Sequence, residues 1–432
     1  MPSNDPVYRF KATLQVQGAG SFVDQNAGGG QDPPVIGFSQ QGNTNQIWEF
    51  YSVPGFETRV VIKNTATKYV LYTNALQNKV QLGKNDVWDA ASQWYLEGGP
   101  VDGIDSGSIV RIRNVKYPNG YLDLAGGDKA DRTAILVWPG HGGNNQAFKL
   151  TKPVKLACVQ LMQPVEGSDK TAILQNAATH VAKAASSGSK IIVLPEYFNS
   201  PFGSQYLSEY AETLLPSPPN REKAPTFYAL SAMAAEHKVY LIGGSIPEFN
   251  PQTKKHYNTS LIFDPEGNLL ATYRKAHLFD VDIPGRVTYY ESEYLDSGNK
   301  LGLIDLPDYG KIAVAICYDI RFPELATIAT RKGAFALIYP SAFPIATGSI
   351  HWRLLAQARA LDNQLYVVLC GPARDTRGTL VAWGHSLVVD PMAQVVVEAE
   401  EKETIVEWEL DPDEITNTRK SIPFEDPKLE EP

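Results

Sequence analysis

The chain has 432 residues, of which 43% are hydrophobic, and this is enough for two or more domains with cores of their own. The formal net charge is −9 and there is no basic stripe, so we expect no nucleic-acid partner. No stretch approaches eighteen consecutive apolar residues and no signal peptide is recognisable, so we expect a cytoplasmic protein with no membrane contact. Three scattered cysteines do not predict a disulfide framework.

Residues 1–152 predict an all-β domain, because they are rich in Gly, Asn and Gln and show short strand-like segments without helical periodicity. The form Gln-x-aromatic occurs three times, at separations of 47 and 53 residues, in Gln46-Ile47-Trp48, Gln93-Trp94-Tyr95 and Gln146-Ala147-Phe148. Three such units resemble the ricin-type β-trefoil lectins. We interpret the aromatic residue of each unit as part of the core.

A sugar site in such a domain requires a carboxylate, an aromatic face and an amide. Counted from their glutamines, the third unit offers Asp123, Trp138 and Asn145, and the first offers Asp24, Phe38 and Asn45. The second unit has Val70 or Leu71, Asn85 and Ser92 at those positions and lacks the set. The resemblance implies a glycan ligand with seven candidate contacts: Asp24, Phe38, Asn45, Asp123, Trp138, His141 and Asn145. The alternative is a trefoil kept only for docking.

From residue 153 to 432 the pattern changes to α/β, and Pro153 suits a junction because it cannot join a central strand. Strands are predicted at 154–161, 190–196 and 239–248, and helices at 171–187 and 224–237. Residues 265–268 predict the turn of an antiparallel hairpin, and a further helix is predicted from His351. Strands that alternate with both helices and hairpins predict a mixed sheet.

Three strand exits carry complementary chemistry: Glu196, Lys275 and Cys317. A carboxylate can take the thiol proton, an ammonium can lower the thiol pKa and neutralise an oxyanion, and a thiolate can attack a carbonyl carbon. Phe322-Pro323-Glu324 predicts the start of a helix after Cys317, whose dipole would favour the thiolate. Each residue also has a structural interpretation: a core cysteine, a surface turn and a solvated lysine.

Residues 154 to about 423 resemble the nitrilase, or carbon–nitrogen hydrolase, superfamily, and within it the omega-amidase branch. The motifs follow in the family's order: LPEYFNSPFG, GGSIPE, YRKAHLFDVDIPG, ICYDIRFPEL, YPSAFPIATGSIHW and VAWGHSLVVDP. The resemblance implies an αββα sandwich that dimerises, with no metal and no organic cofactor. It implies that Glu196 is the base, Lys275 the oxyanion stabiliser and Cys317 the nucleophile. It adds Glu291 as a positioning residue and the backbone N–H of Tyr318 as an oxyanion donor.

The same resemblance implies the reaction, hydrolysis of the terminal amide of short dicarboxylic monoamides through a cysteine thioester. Alpha-ketoglutaramate and alpha-ketosuccinamate are the expected substrates. Their free carboxylate suits the guanidinium of Arg321, with the hydroxyl of Thr347 as helper. The alternative for Arg321 is an ion pair with Asp319 or Glu324. Phe202 stands where the branch often has a tyrosine, so a hydroxyl is missing from the expected substrate pocket.

Three other readings stay open. One is an amidase of deaminated glutathione or another amidase of the superfamily. A second is a cysteine protease, which would need a histidine base from among His277, His351 and His385, although we interpret His277 and His385 as structural. The third is a lectin or scaffold whose hydrolase-like domain does not turn over.

Overall fold

The structure, a computed structural model, describes residues 5–26, 33–39, 44–104, 108–285, 287–306, 309–378 and 380–423. The chain divides into two compact units. The first contains residues up to 153 together with a C-terminal helix, and the second contains residues 154–306 and 310–410. Within the described ranges, no helix is both long enough and apolar enough to cross a membrane.

The first unit is built from short strands, as its sequence predicts. They are β1 Val7–Val16, β2 Phe22–Gln25, β3 Val35–Phe38, β4 Ile47–Ser52, β5 Arg59–Asn64, β6 Val70–Tyr72, β7 Asn78–Lys79, β8 Gln81–Gly83, β9 Gln93–Glu97, β10 Ile109–Asn114, β11 Gly120–Leu124, β12 Thr133–Pro139 and β13 Phe148–Thr151. The chain's last helix, α6 Pro412–Ser421, groups with this unit.

Six of these strands close into a ring by antiparallel pairing, in the order β1–β4–β5–β9–β10–β13 and back to β1. Six of the seven strands between them form three antiparallel pairs, β2–β3, β6–β8 and β11–β12, and β7 pairs with β12. Each third of the unit therefore supplies two ring strands and one such pair. Closure leaves no unpaired edge in the ring, which satisfies its backbone hydrogen bonds. A large apolar cluster fills this unit, and a smaller one is formed by Val53, Val61 and Val70.

The aromatic residue of the Gln-x-aromatic motif is a core residue in two of the three sequence repeats. Trp48 and Phe148 are both 0% exposed. In the second repeat the buried ring is that of Trp94, also 0% exposed, whereas Tyr95 is only half-buried. The predicted core position is therefore wrong in this repeat. The indole N–H of Trp48 donates to the Val23 carbonyl at 2.9 Å, and that of Trp94 donates to the Leu71 carbonyl at the same distance.

Two buried asparagines show that the second sequence repeat aligns with the first one residue away from the predicted alignment. Asn64 donates to the carbonyl of Ile47, and Asn114 donates to the carbonyl of Gln93, both at 3.3 Å. Gln93 therefore corresponds to Ile47 and not to Gln46. Asn64 and Asn114 also donate to the carbonyls of Asn45 and Ala91, so Ala91 holds the place of the amide. Because Trp48 and Trp94 donate to the carbonyls of Val23 and Leu71, the next residue, Tyr72, holds the place of Asp24. The second repeat still lacks the carboxylate and the amide that a sugar site requires, as predicted.

The second compact unit, residues 154–306 and 310–410, alternates strands and helices. They are β14 Val154–Gln160, α1 Lys170–Ser186, β15 Ile191–Val193, α2 Leu207–Tyr210, α3 Pro225–His237, β16 Tyr240–Ile242, β17 Ile246–Asn250, β18 Lys255–Phe263, β19 Leu269–Arg274, β20 Asp280–Ile283, β21 Val287–Tyr290, β22 Leu303–Leu306, β23 Gly310–Val314, α4 Pro323–Arg331, β24 Ala334–Pro340, α5 Ile345–Asn363, β25 Tyr366–Cys370, β26 Leu387–Val389, β27 Val395–Glu398 and β28 Thr404–Leu410.

Two mixed sheets face each other in this unit. One has the order β17-β18-β16-β15-β14-β28, with β19 paired to β18, and the other has the order β22-β23-β24-β25-β26-β27. Helices α1 and α3 pack on the first sheet, and α4 and α5 pack on the second. The thiol of Cys370 in the second sheet lies 3.3 Å from the carbonyl oxygen of Val193 in the first. The layers are therefore helix, sheet, sheet and helix, and the predicted mixed pairing is confirmed.

The main departure from the predicted elements is a break in the strand expected at 239–248. It is two strands, β16 and β17, separated at Gly243-Gly244. Gly244 has φ +58, and a Cβ there would lie 2.1 Å from the carbonyl oxygen of Pro195. Helix α5 also begins six residues before His351, and the hairpin β20–β21, strand β22 and helix α6 were not predicted.

Candidate active site

Three loops from two different sheets bring Glu196, Lys275 and Cys317 together. Glu196 follows β15 by three residues, Lys275 directly follows β19, and Cys317 follows β23 by three residues. Their exposed fractions are 1%, 1% and 6%. All three line one cavity of about 280 Å³. This group can supply a base, a cation and a nucleophile to a small ligand.

Cys317 occupies a tight turn and not the first turn of an α-helix. It has φ +46, a backbone conformation that non-glycine residues rarely adopt, and it begins a single 3₁₀ turn, Cys317–Arg321. Helix α4 begins later, at Pro323, which occupies the first turn as predicted. The dipole effect fades within one turn of a helix end, so the predicted help from α4 to the thiolate is not supported. The first N–H groups of the 3₁₀ turn, those of Cys317 and Tyr318, have no partner inside it.

Lys275 lies between two buried carboxylates. Its Nζ is 3.0 Å from Oε1 of Glu196 and 2.9 Å from Oε2 of Glu291. Burial by itself would lower the pKa of Lys275, but the charges of Glu196 and Glu291 outweigh it and the pKa is raised well above its ordinary value. The backbone N–H of Phe279 also donates to Oε2 of Glu291, at 2.7 Å. The lysine is therefore a fixed ammonium ion that does not serve as a base.

The two oxygens of Glu196 have different surroundings. Oε1 accepts hydrogen bonds from Lys275 and from Nδ2 of Asn258, the latter at 2.8 Å. Oε2 is buried and has no hydrogen-bond partner among the residues that the structure describes. Burial raises the pKa of Glu196; the charge of Lys275 opposes this rise and that of Glu291 adds to it. Oε2 is thus the oxygen with a free acceptor site for a proton from Cys317.

The thiol of Cys317 is not pre-ionised, which corrects the expectation that its pKa is lowered. Burial raises the pKa of Cys317 well above its ordinary value, and the negative charge of Glu196 raises it further. Lys275 and the backbone N–H of Ala342 favour the thiolate, but they do not outweigh the other two effects. The resting group is a thiol beside a carboxylate, so the chemistry of this site requires Glu196 to remove the proton during attack.

Arg321 also lines the cavity, and it makes neither of the ion pairs considered as alternatives. In the described part of the chain, no ion pair joins it to Asp319 or Glu324. Both of its terminal nitrogens lie 3.3 Å from Nδ1 of His351, and its Nε is buried without a partner among the described residues. The guanidinium carbon is 5.3 Å from the ring centres of Tyr318 and of Phe343. Arg321 can therefore still receive an anionic ligand.

The other predicted pocket residues lie in the same lining. The hydroxyl of Thr347 is buried and finds no partner in the described ranges. Phe202 and Tyr318 contribute rings to the wall, and Phe202 packs edge-on against Tyr197 with 5.6 Å between ring centres. Glu291 is outside the lining and touches the site through Lys275.

Sequence reasoning missed Asn258 and His351 as partners of site residues. Asn258 lies on β18 opposite Lys275, whose N–H donates to the Asn258 carbonyl at 2.9 Å. The register of the predicted hairpin, extended to Lys275, would have indicated this pairing. His351 had no comparable signal, because its contact with Arg321 depends on how α5 packs.

Histidines do not complete a protease-like site. The described residues that line the cavity include no histidine. Nδ1 of His277 is 2.8 Å from Asp319, and Nδ1 of His385 is 3.2 Å from Glu398, so both have structural partners. In the described residues, no group of three or more His, Cys, Asp and Glu side chains could hold a metal ion.

In the first unit, the sugar candidates of the third repeat are brought together around Asp123. Its carboxylate accepts hydrogen bonds from Asn145 and Gln146, each at 2.9 Å, and lies 3.1 Å from Nε2 of His141. The N–H of Gly143 donates to Nδ1 of His141, so Nε2 carries the ring proton. Trp138 is 37% exposed on β12.

The candidates of the first repeat are arranged differently. Oδ1 of Asn45 accepts from Gln25 at 2.9 Å, and Asp24 is hydrogen-bonded to Gln46. Burial raises the pKa of Asp24 to about 6, Gln46 opposes this rise, and the charge of Asp131 adds to it. Phe38 ends β3 and pairs in register with Phe22. Both carboxylates are buried, with Asp24 5% and Asp123 3% exposed, so the two sites differ in that the first has Phe38 where the third has Trp138.

Comparisons with known proteins agree with this site. The family model described as carbon-nitrogen hydrolase matches residues 155–420. The chain is 48% identical over 277 residues to the omega-amidase NIT3 of Saccharomyces cerevisiae, covering 64% of this chain and 93% of that protein. It is 44% identical over 269 residues to the omega-amidase NIT2 of Homo sapiens, covering 62% of this chain and 92% of that protein.

Solved structures show the same relationship. The crystal structure of S. cerevisiae Nit3, a member of branch 10 of the nitrilase superfamily, is 45% identical, with a TM-score of 0.57, and the match covers 63% of this chain and 95% of that one. The Caenorhabditis elegans NitFhit protein is 30% identical, with a TM-score of 0.52 and coverage of 63% and 64%. The matched region carries the buried Glu196, Lys275 and Cys317, and the chain belongs to the carbon-nitrogen hydrolase family.

Proposed function

We propose that this protein is an omega-amidase that hydrolyses the terminal amide of short dicarboxylic monoamides, such as alpha-ketoglutaramate and alpha-ketosuccinamate. One observation carries the proposal: a single small cavity is lined both by the Glu196–Lys275–Cys317 group and by the unpartnered polar atoms of Arg321 and Thr347. The first group suits an amide carbon and the second suits a carboxylate. The relatives named omega-amidase support the same assignment.

In the proposed reaction, Oε2 of Glu196 takes the Cys317 proton as the sulfur attacks the amide carbon. The oxyanion that forms is stabilised by the ammonium of Lys275 and by the backbone N–H of Tyr318. Glu196 then gives the proton to the departing nitrogen, and ammonia leaves behind a thioester on Cys317. Water, activated by Glu196, hydrolyses the thioester to the free acid and the thiol. Glu291 acts by holding Lys275.

The cavity favours a short substrate. The empty space among its lining residues, including its opening to solvent, is about 280 Å³. Phe202, Phe279 and Phe343 close much of the wall with apolar surface, so Arg321 is the main charged partner for the far end of a substrate. A longer amide derived from deaminated glutathione fits this volume less well.

The experiment is ammonia release from a panel of amides by the wild type and by Arg321→Met. We expect the wild type to prefer short carboxylated monoamides over glutamine, a deaminated-glutathione amide, a neutral aliphatic amide and a nitrile. Arg321→Met should lower kcat/KM for alpha-ketoglutaramate by roughly 10- to 100-fold, since hydrogen bonds to charged groups contribute about 1.5–3 kcal/mol. Turnover of the neutral amide should change little.

The control is Arg353→Met, because Arg353 lies on the same helix as Thr347 but is largely exposed and pairs with Glu398. It should leave the preference unchanged. A wild-type preference for deaminated glutathione would assign the chain to the neighbouring amidase branch. Silence on every amide would favour a lectin or scaffold with a non-catalytic hydrolase domain.

We also propose that residues 1–152 form a β-trefoil, carbohydrate-binding domain attached to a hydrolase domain at residues 153–432, although helix α6 of that range groups with the first compact unit. The closed ring of six strands with three additional strand pairs, one per repeat, supports the trefoil. The cluster of Asp123, His141, Asn145 and Trp138 supports a sugar site in the third repeat, where carboxylate, amide and aromatic ring are all available. A glycan array with the intact protein tests this, and retention of no glycan would leave a docking domain.

Assembly and location belong to the same proposal. The resemblance to the superfamily implies a homodimer formed through the hydrolase domain, and three free buried cysteines suit the reducing cytoplasm. Sedimentation equilibrium of the full chain would distinguish a dimer from a monomer.

A further inference from the structure

Asp319 is a fully buried carboxylate, 0% exposed, two residues after the nucleophile. Its Oδ2 accepts hydrogen bonds from the hydroxyl of Tyr273 at 2.8 Å and from the backbone N–H of Ile316 at 2.9 Å. Its Oδ1 accepts from the backbone N–H of His277 and lies near the His277 ring nitrogen Nδ1, both at 2.8 Å. Both oxygens are therefore fully engaged in a buried polar cluster.

These donors come from both sides of the catalytic pair. Ile316 directly precedes Cys317, whereas Tyr273 and His277 lie two residues before and two residues after Lys275. The backbone N–H of Asp319 also donates to the Ile316 carbonyl at 3.0 Å. The side chain and backbone of Asp319 thus close the turn that holds Cys317 at φ +46, and the same carboxylate ties that turn to the lysine segment.

A link of this kind is needed because the two segments belong to different sheets. Lys275 follows β19 of the first sheet, and Cys317 follows β23 of the second, so no strand pairing sets the distance between them. The ring of His277 stacks on Phe322 with 3.5 Å between ring centres and 10° between planes, which adds a second contact between the same segments. An oxyanion formed at Cys317 needs Lys275 at a fixed distance, and small misplacements cost large factors in rate.

We propose that Asp319 is a positioning residue for the amidase reaction: its carboxylate holds the nucleophile turn against the lysine segment. The inference rests on the proposed function for its reaction but not for its geometry. Asp319 is absent from the residues that line the cavity, so it acts through Cys317 and Lys275 and not on the substrate.

The test compares Asp319→Asn with Glu212→Gln. Glu212 is a matched control, because it is a buried carboxylate of the same unit, held by Lys170 and Thr226 and outside the cavity lining. Loss of Asp319 should lower kcat by about 10- to 100-fold with KM changed less than about 3-fold, because orientation and not substrate binding is lost. Glu212→Gln should lower the melting temperature without this selective loss of kcat.

A second readout does not depend on turnover. Alkylation of Cys317 by iodoacetamide, followed by mass spectrometry of its peptide, should slow at least about 3-fold in Asp319→Asn, because the thiol is no longer held beside its base. If the wild type releases no ammonia from any amide, the proposed function fails and this rate still decides the inference. Values of kcat and alkylation rate equal to those of Glu212→Gln would overturn it.

Should Asp319→Asn fail to fold, Tyr273→Phe carries the test. It removes one donor and keeps the carboxylate, so kcat should fall by about 3-fold with KM unchanged, in line with the loss of one hydrogen bond. An unchanged kcat and an unchanged alkylation rate in this variant would contradict the proposal.

Discussion

The charge balance among three buried side chains decides how the nucleophile works. Lys275 forms ion pairs with both Glu196 and Glu291, and these two negative charges offset most of its stabilising effect on a Cys317 thiolate. The thiol therefore keeps its proton until a substrate arrives. This arrangement differs from cysteine enzymes that hold a stable thiolate, and in the proposed reaction it makes Glu196 the required base.

Replacement of Glu196 by Gln should lower ammonia release by about 100- to 10,000-fold, the usual contribution of a general base. The amide keeps the shape of the carboxylate but cannot accept the proton of Cys317. Steady-state rates on the best amide of the panel measure the loss. Glu212→Gln serves as the control for removing a buried charge, and a Glu196→Gln enzyme with near wild-type turnover would contradict the assigned base.

The pH dependence follows from the raised pKa of Glu196. The base must be ionised to act, so kcat/KM should fall as the pH drops through that pKa, and the midpoint should lie above the ordinary value of 4.5. A profile measured from acid to neutral pH checks this, and a midpoint at or below 4.5 would show that burial does not dominate.

At the scale of elements, the loop after β15 that carries Glu196 is shaped by close backbone contact. Gly244 at φ +58 approaches the carbonyl oxygen of Pro195, the residue before the base, and has no room for a Cβ. The same contact divides β16 from β17. The position of Glu196 thus depends on a glycine in the break between β16 and β17.

Gly244→Ala should destabilise the protein by at least about 1–3 kcal/mol and lower activity as well, since it adds strain and a clash beside Glu196. Gly188→Ala is the matched control, because Gly188 has φ +96 and open space around the added Cβ. Thermal unfolding and ammonia release should both suffer more at Gly244. Equal effects of the two substitutions would mean that the contact with Pro195 has no special weight.

The elements themselves were predictable where hydrophobic period and turn residues agree. Helices α1 and α3 and the hairpin β18–β19 were found within a few residues, because Ala-rich periodicity and the turn at 265–268 are local signals. The early start of α5 and the break at Gly244 were not, since both depend on contacts distant in sequence. The second repeat was misaligned by one residue because Gln93 resembles the motif glutamine, whereas the fold is set by Trp94 and the carbonyl contacts of Asn114.

The identities of Glu196, Lys275 and Cys317 were accessible from strand exits and family motifs. Their electrostatics were not, because the pKa of Cys317 depends on how many buried charges surround it. The hydrogen bond from Asn258 to Glu196, and the contacts that Asp319 and His351 make, also depend on the packing of separate segments. Sequence reasoning therefore indicated which side chains form the candidate site, but not their pKa shifts or their hydrogen-bond partners.

At the scale of the whole molecule, the hydrolase unit and the strand-rich unit have separate proposed roles. Asp123→Ala should abolish most glycan binding of the intact protein, because the carboxylate holds Asn145, Gln146 and His141 together. Asp24→Ala should leave most binding in place, since Asn45 is occupied by Gln25 in the first repeat. Retention on the glycan identified by an array measures both.

Ammonia release should be the same in both variants, because neither residue belongs to the hydrolase unit. Greater loss of glycan binding in Asp24→Ala than in Asp123→Ala would reverse the ranking of the two repeats.

The proposed mechanism depends most directly on Cys317 as the one reacting cysteine, and the other two cysteines of the chain, Cys158 and Cys370, are internal controls. Ammonia release and intact mass under turnover should be measured for Cys317→Ala, Cys158→Ala and Cys370→Ala with alpha-ketoglutaramate. We predict that Cys317→Ala releases no ammonia and gains no acyl mass, while the other two variants, altered only in the core, keep turnover and an acylated Cys317 peptide. Substantial turnover by Cys317→Ala, or an acyl group on another residue, would contradict the mechanism.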